Sequence, residues 1–313
     1  MTLDPPLTSP LISRLTIIGI GLIGSSILRA AKLRGLAGTV VAYDASEEVR
    51  DRALALGLAD LVAATPEQAV RNSDIVILCV PVGAMSTVGA EIAPHLKADA
   101  IISDVGSVKG AVLTALRAQL PEGLHSRIIP GHPVAGTEYS GPDAGFATLF
   151  KNRWCILTPP EGADVSAVEE LSALWTAMGA NVETMTPEHH DLVLAITSHV
   201  PHLIAYNIVG TAADLEAVTN SEVIKFSAGG FRDFTRIAAS DPTMWRDVFL
   251  NNREAVIEVL GRFTEDLIAL QRAIRWEQGD ALFDLFTRTR AIRRSIIEQG
   301  QETAAPDFGR ERE

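Results

Sequence analysis

Gly19, Gly21 and Gly24 have the spacing G-x-G-x-x-G, between the apolar run "LTIIGI" and a helical pattern. In a strand–turn–helix context, such glycines let a dinucleotide pyrophosphate approach the helix N-terminus, where free N–H groups favour anions. Asp44 ends the next apolar run, twenty residues past Gly24, and could accept hydrogen bonds from an adenosine ribose. A tight turn with a surface aspartate is the alternative. The pattern predicts a dinucleotide site made by Gly19, Gly21, Leu22, Ile23, Gly24 and Asp44.

The residues after Asp44 bear on the choice of dinucleotide. They are Ala45, Ser46, Glu47 and Glu48, and no basic residue comes before Arg50. A 2′-phosphate needs a nearby arginine or lysine. The sequence therefore predicts NAD rather than NADP.

Three loops come after predicted strands: "CVPVGAM" (79–85), "SDVGSVKG" (103–110) and "PGHPVAGTE" (130–138). Ligands of open α/β sheets bind at the carboxyl ends of the strands, so these loops should form one rim beside the nicotinamide. Each polar residue also has an ordinary explanation: Ser107 as the cap of a helix from Val108, Lys109 as a solvated side chain, and His132 as a loop histidine. Taken together, the loops predict that the rim includes Val80, Pro81, Ser107 and His132.

Polar residues also recur in the second half of the chain. Asp191, Ser198 and His202 are spaced by seven and four residues, which predicts one face of a helix that Pro201 should kink. The alternative is a polar seam satisfied inside a helical core. The segment "GGFRDFTRIAASDPTMWRD" (229–247) combines charge with Gly, Phe and Trp, which suggests partial burial, and the alternative is a solvated, salt-bridged helix face.

The predicted strands and helices that must position these residues differ between the two halves of the chain. Val- and Ile-rich runs, among them "DIVILCV", "AIISDV" and "RIIP", alternate with helical patterns up to about residue 158. This alternation predicts a doubly wound, Rossmann-like α/β domain at residues 1–160. Helical patterns at about 165–179, 187–213, 218–226, 242–275 and 278–299 predict an all-α domain at residues 161–313.

Net charge, cysteine spacing and apolar segments exclude several classes of function. The formal net charge of -12 argues against nucleic acid, which needs a basic surface. Cys79 and Cys155 form no metal-ligand spacing and no disulfide framework, and the N-terminus does not resemble a signal peptide, so we predict a cytoplasmic protein without a metal. Residues 192–213 carry no Asp, Glu, Lys or Arg. Their Ser, His, Pro and Asn residues are costly in lipid, so we predict no membrane span but a buried helix and a homodimer built on the C-terminal helices.

Five motifs, "GLIGSS", "DVGSVKG", "GHPVAGTEYSGP", "HHDLVLAITSHVPHLIAY" and "GGFRDFTRIAASDPTMWRD", carry a resemblance that spans about residues 15–290. Together they resemble the prephenate/arogenate dehydrogenase family of tyrosine biosynthesis, and in particular the cyclohexadienyl dehydrogenases, which take either substrate. The resemblance implies NAD-dependent oxidative decarboxylation of prephenate or arogenate and a C-terminal dimerisation domain. Many relatives carry a fused mutase or a regulatory domain, for which this sequence leaves no room.

The resemblance also implies roles for individual residues. His132 would accept the proton of the ring hydroxyl, with Ser107 beside that oxygen. Arg236 would bind a substrate carboxylate, and Ser198, His202 and Trp245 would face the substrate. Asp191 and Asp233 are interpreted as holding His202 and Arg236 in place. Trp245 could come from the neighbouring subunit.

Two other functions remain open from the sequence. One is a dehydrogenase of the 3-hydroxyisobutyrate type, which uses a lysine base in its helical domain. Lys225 is the only lysine after Lys151 and lies outside the predicted polar seam. The other is a non-catalytic NAD-binding sensor, against which the combination of Ser107, His132 and Arg236 argues.

Overall fold

A computed structural model describes residues 7–137, 139–216 and 228–298, which form eight strands and twelve α-helices. The strands are β1 (Ile12–Ile18), β2 (Ala37–Tyr43), β3 (Leu61–Val62), β4 (Ile75–Leu78), β5 (Ile101–Asp104), β6 (Gly131–Pro133), β7 (Trp154–Leu157) and β8 (Asn181–Thr184). The helices are α1 (Leu22–Arg34), α2 (Glu47–Ala55), α3 (Pro66–Val70), α4 (Met85–Ile92), α5 (Gly110–Gln119), α6 (Val165–Ala177), α7 (Pro187–Leu194), α8 (Val200–Glu216), α9 (Gly229–Thr235), α10 (Pro242–Asn251), α11 (Arg253–Arg275) and α12 (Gly279–Glu298).

The first five strands form a parallel sheet in the order β3-β2-β1-β4-β5. Because successive strand residues point to opposite faces, β4 sends Ile75 and Ile77 into one core cluster and Val76 and Leu78 into another. The first cluster includes residues of α1 and α6, and the second includes residues of α3, α4 and α5. The predicted doubly wound α/β fold is confirmed, and helices cover both faces of the sheet.

The "RIIP" run is not a full strand of this sheet. Ile128 forms only an isolated parallel bridge with Ile102. The chain then enters a second, three-stranded sheet, β6-β7-β8, in which His132 pairs with Ile156. The prediction that His132 lies in a loop is therefore wrong. The antiparallel pairing of β6 with β7 holds the His132 backbone in a strand that is buried along its length.

The α/β packing continues beyond residue 160. Helix α6 buries Leu171, Leu174 and Trp175 in the first core cluster, and β8 pairs in parallel with β7. The chain forms two compact units, residues 2–256 and residues 257–313. The division at residue 160 stays a prediction. The helix predicted at residues 218–226 lies outside the described residues.

Residues 187–215 form an apolar helical stretch that is interrupted by a π-helical turn at Ala195–His199. The turn comes just before Pro201, at the place where the sequence predicts a kink. By length and composition alone this stretch could cross a membrane, a test that core helices of soluble proteins also pass. Its apolar side chains are only partly buried within the chain, with Ile196 53% and Leu215 52% exposed.

Candidate active site

The glycine-rich turn joins β1 to α1 and fits a dinucleotide. Gly19 has φ +96°, and a Cβ there would lie 2.4 Å from the Cys79 carbonyl oxygen. A Cβ at Gly24 would lie 2.0 Å from the Gly19 carbonyl oxygen, so only glycine fits either position. Gly21 begins α1 without a side-chain cap, and a Cβ there would meet nothing within 4 Å. The helix N-terminus thus offers uncapped N–H groups and open space, which suits a pyrophosphate.

Asp44 lies one residue beyond β2, and its carboxylate is hydrogen-bonded to the backbone of this turn. Its Oδ2 accepts a hydrogen bond from the Ile20 amide at 2.8 Å, and its Oδ1 accepts one from the Ser46 amide at 2.9 Å. A carboxylate oxygen has further lone pairs, so these bonds leave capacity for ribose hydroxyls. Arg50 donates to the carbonyl oxygens of Asp44 and Ala45. Val80 packs against Gly19 and is half-buried, while Pro81 is exposed at the start of a short 3₁₀ turn.

His132 belongs to a hydrogen-bonded chain that the sequence did not reveal. Its Nδ1 lies 2.9 Å from Nε2 of His190, and Nδ1 of His190 lies 2.8 Å from Oδ1 of Asp191. Asp191 also accepts hydrogen bonds from the backbone amides of Lys109 and Gly110, at 2.8 and 2.9 Å. His132 is 8% exposed and His190 is fully buried. The other nitrogen of His132, Nε2, has no hydrogen-bond partner among the described residues and is not sealed from solvent by them. It is therefore the nitrogen open to a ligand.

Lys109 is buried, so the explanation of it as a solvated side chain is wrong. Its Nζ donates to Oδ2 of Asp104 and to the carbonyl oxygen of Gly131, at 2.5 and 2.6 Å. Both side chains of this ion pair are fully buried. Burial lowers the pKa of Lys109 and raises that of Asp104, and the two charges oppose these shifts. The ammonium thus connects the end of β5 to the residue before His132.

Helix α5 begins at Gly110, with Lys109 as its N-cap residue, so Ser107 does not cap it. Ser107 is instead half-buried in the loop between β5 and α5, and its backbone lies beside the ring of His199. The Asn252 amide nitrogen lies 3.0 Å from Nδ1 of His199 and donates to the carbonyl oxygen of Asp191 at 2.8 Å. Asn252 and His199 therefore connect α7 and the end of α10 with the Ser107 loop.

The remaining predicted residues lie around His202. Its ring stacks on the Trp245 indole of the same chain, with ring centroids 3.7 Å apart. Its Nδ1 lies 2.8 Å from the carbonyl oxygen of Ser198. Arg236, at the start of a 3₁₀ turn after α9, is close enough to His202 to lower the pKa of that imidazole, although burial lowers it more. Ser198, His202, Arg236 and Trp245 thus form one group.

Asp191 does not hold His202, so that interpretation is wrong. The predicted common face of Asp191, Ser198 and His202 assumes a regular α-helix, but the π-turn at Ala195–His199, which includes Ser198, lies between Asp191 and His202. A π-turn adds a residue to the turn and rotates the residues after it, so the face shared by these side chains is broken. Asp233 lies 3.2 Å from Arg232 at the surface. Its predicted role toward Arg236 stays a prediction.

The imidazoles of this region are all held in the neutral form. Burial lowers the pKa of His132 well below 6.5, and the nearby His190, Lys109 and His199 lower it further. Burial also lowers the pKa of His190, although its hydrogen bond to Asp191 opposes the shift. The pKa of His199 falls to about 4, again mainly through burial. A neutral His132 can accept a proton at physiological pH.

No group of three or more His, Cys, Asp or Glu residues suited to a metal ion occurs in the part of the chain that the structure describes. The groups that the site offers for chemistry are its imidazoles, its carboxylates, one buried ammonium and the glycine turn.

Two family models cover most of the chain. One, described as the nucleotide-binding domain of prephenate dehydrogenase, matches residues 27–184, and the other, its dimerization domain, matches residues 186–288. The cyclohexadienyl dehydrogenase of Zymomonas mobilis is 46% identical over 282 residues, which are 90% of this chain and 95% of that protein.

Two solved structures are similar to this chain over most of its length. One is prephenate dehydrogenase from A. aeolicus in complex with hydroxyphenyl propionate and NAD⁺, with a TM-score of 0.84 and 33% sequence identity. The match covers 91% of this chain and 98% of that chain. Arogenate dehydrogenase from Synechocystis has a TM-score of 0.78 and 26% identity, and the match covers 90% of this chain and 99% of that one.

Proposed function

Since the chain belongs to the prephenate dehydrogenase family and is an NAD-dependent oxidoreductase, we propose that it oxidises and decarboxylates prephenate, arogenate or both. The products are 4-hydroxyphenylpyruvate from prephenate and tyrosine from arogenate. Among the relatives, the cyclohexadienyl and arogenate dehydrogenases support this range of substrates. The observation that carries the proposal is the buried, neutral His132, whose Nε2 is open to a ligand.

The proposed substrates have a cyclohexadiene ring with a hydroxyl on one carbon and a carboxylate on the opposite carbon. Bound NAD⁺ supplies the acceptor for the hydride that leaves the carbinol carbon. His132 accepts the hydroxyl proton through Nε2, because a charge builds up on that oxygen as the hydride leaves. Ser107 lies in the neighbouring loop and is proposed to bond the same oxygen. Carbon dioxide departs from the opposite carbon, and the electron pair of the broken bond completes the aromatic ring and leaves a phenolate oxygen. That oxygen takes the proton back from His132 and becomes the phenol of the product.

Arg236 is proposed to bind a substrate carboxylate. A guanidinium holds a carboxylate through two parallel hydrogen bonds, which fixes its orientation as well as its position. The protein carries a net charge of -12, so a dicarboxylate must be bound by local cations. His202 and Ser198 lie beside Arg236 and are proposed to contact the substrate, and Trp245 supports the His202 ring by stacking.

The cofactor is NAD. We propose that the uncapped N-terminus of α1 binds its pyrophosphate and that Asp44 binds the adenosine ribose. Leu22 and Ile23, in the first turn of α1, would lie beside the pyrophosphate, and Val80 and Pro81 beside the nicotinamide. Glu47 and Glu48, just after Asp44, would repel a 2′-phosphate.

NADH formation with purified enzyme tests the proposed function. We expect NADH with prephenate, with arogenate or with both, and none with 3-hydroxyisobutyrate as a control substrate. Each NADH should be matched by one aromatic product, because oxidation and decarboxylation occur together. Activity with 3-hydroxyisobutyrate alone would favour the other dehydrogenase type, for which Lys225 lies outside the described residues. No NADH from any of these substrates would favour a non-catalytic sensor.

A homodimer through the C-terminal helices is also proposed. The dimerization-domain model matches residues 186–288. Exposed apolar side chains occur on α11 (Ile268), between the two helices (Trp276) and on α12 (Phe283, Phe286 and Ile292). Large exposed apolar side chains of this kind are typical of an obligate interface. Two free cysteines fit the proposed cytoplasmic location.

Sedimentation at micromolar concentration tests this assembly. We expect a dimer whose mass does not change with salt, because an apolar interface is not screened as ion pairs are. A monomer at that concentration would contradict the proposal.

A further inference from the structure

We propose that His190 is a positioning residue that fixes the tautomer of His132 and so keeps Nε2 of His132 ready to accept the substrate proton. This inference rests on the proposed function of His132. It goes further because it assigns a proton to each nitrogen of the chain formed by Asp191, His190 and His132, which we call the histidine relay.

Asp191 determines where the first proton of the relay lies. Its carboxylate accepts hydrogen bonds from the amides of Lys109 and Gly110, and these bonds lower its pKa although burial opposes them. An ionised carboxylate can only accept hydrogen bonds. The proton between Asp191 and His190 therefore belongs to Nδ1 of His190, which donates to Oδ1 of Asp191 at 2.8 Å.

The position of the next proton depends on the first. His190 is fully buried and neutral, so a proton on its Nδ1 leaves its Nε2 as an acceptor. The only nitrogen pair between the two rings is Nε2 of His190 and Nδ1 of His132, 2.9 Å apart. Nδ1 of His132 must then be the donor. Because His132 is neutral as well, its Nε2 carries a free lone pair.

The charges around His132 preserve this arrangement. Asp104 ends β5 and pairs with Lys109 just before α5, Cys155 lies on β7 opposite Pro133, and His199 comes from the π-turn. Lys109 and the other imidazoles disfavour a positive charge on His132 before substrate binds. When Nε2 takes the substrate proton, the resulting imidazolium keeps its Nδ1–H bond to His190, and Asp191 supplies the nearest negative charge along the relay.

Without His190, the Nδ1–H of His132 loses its acceptor. A buried donor without a partner is costly, so the ring would shift toward the tautomer that carries its proton on Nε2. That tautomer offers the substrate hydroxyl a donor instead of an acceptor. We therefore expect His190→Leu to lower kcat about 10- to 100-fold while the KM for substrate stays within about threefold.

Two further variants separate positioning from support of the fold. In His190→Gln, the amide oxygen can accept from Nδ1 of His132, so part of the lost kcat should return. His189→Leu is the matched control, since His189 is the exposed neighbour on the same helix and should keep wild-type kcat. All rates are normalised to NAD-binding sites, and melting temperatures are measured on the same samples. A lowered melting temperature with unchanged kcat per site in His190→Leu would overturn the proposal.

The tautomer itself can be measured by NMR of enzyme labelled with nitrogen-15 at the histidine rings, with NAD⁺ saturating. His132→Asn identifies the His132 signals among the seven histidines. We expect a proton on Nδ1 and a bare Nε2 in the wild type, and a mixture in His190→Leu. A proton on Nε2 of His132 in the wild type would overturn the proposal. If His132→Asn keeps full activity, the proposed role of His132 as the proton acceptor fails, and the relay loses its basis. If His132→Asn is inactive but His190→Leu keeps full activity, only the relay fails.

Discussion

Replacing His132 with asparagine is expected to lower kcat about 10²–10⁴-fold, the usual contribution of a general base. Asparagine keeps a polar side chain of similar size but cannot take up a proton. The KM for substrate should stay within a few-fold, because in the proposed site the carboxylate is bound by Arg236 and not by His132. Steady-state NADH formation with the preferred substrate measures both constants.

His189→Asn provides a matched control, since it makes the same change at an exposed histidine outside the relay. It should behave like the wild type. A His132→Asn enzyme with an unchanged kcat would show that another group accepts the proton. The role assigned to His190 would then lose its basis as well.

Replacing Arg236 with alanine is expected to raise the KM for substrate about 30-fold or more. Losing a charge-assisted pair inside a site costs about 2–5 kcal/mol, and each 1.4 kcal/mol is tenfold in affinity. Arg236→Lys should recover only part of the loss, because an ammonium cannot form two parallel bonds to a carboxylate. NAD binding should be almost unchanged, since the glycine turn is formed by a different part of the chain.

Arg232→Ala is the matched control for this experiment. Arg232 lies one turn earlier, is exposed and pairs with Asp233, so its removal should leave the KM unchanged. The melting temperature is measured on the same Arg236→Ala sample. A lowered melting temperature with an unchanged KM would mean that Arg236 stabilises the helical region and does not bind substrate.

The sequence was sufficient for the sheet and the dinucleotide turn because those signals are local. Uninterrupted apolar runs predict buried parallel strands, and glycine spacing between a strand and a helix predicts the turn. Gly19 and Gly24 confirm the physical reason, since no side chain fits at either position.

The relay could not be predicted because it depends on tertiary contacts. His132 and His190 are 58 residues apart in sequence, and only the tertiary fold brings β6 and α7 close enough for their rings to meet. Regular helical spacing predicted a shared face for Asp191, Ser198 and His202 and gave no reason to select His190. The π-turn interrupts that spacing in the structure. The one local signal was the adjacent pair His190–Asp191 in "HHDLV".

Lys109 was missed for a different reason. Lysines are rarely buried fully, so a solvated side chain was the reasonable expectation. Asp104 ends the preceding strand five residues earlier, and an aspartate and a lysine in one short loop are compatible with an ion pair. The sequence alone could not predict whether that ion pair would be exposed at the surface or buried near His132.

The pH dependence of kcat/KM, measured with saturating NAD⁺ for the wild type and His132→Asn, tests the central claim most directly. Protonation removes the acceptor on His132, so activity falls as the pH drops through its pKa. Burial places that pKa below the ordinary 6.5, and kcat/KM reports it for the enzyme before substrate binds. We expect the wild type to keep its activity down through pH 6.5 and to lose it at lower pH, with this acid limb missing from the residual activity of His132→Asn. An acid limb at or above pH 6.5, or the same limb in both enzymes, would contradict the account.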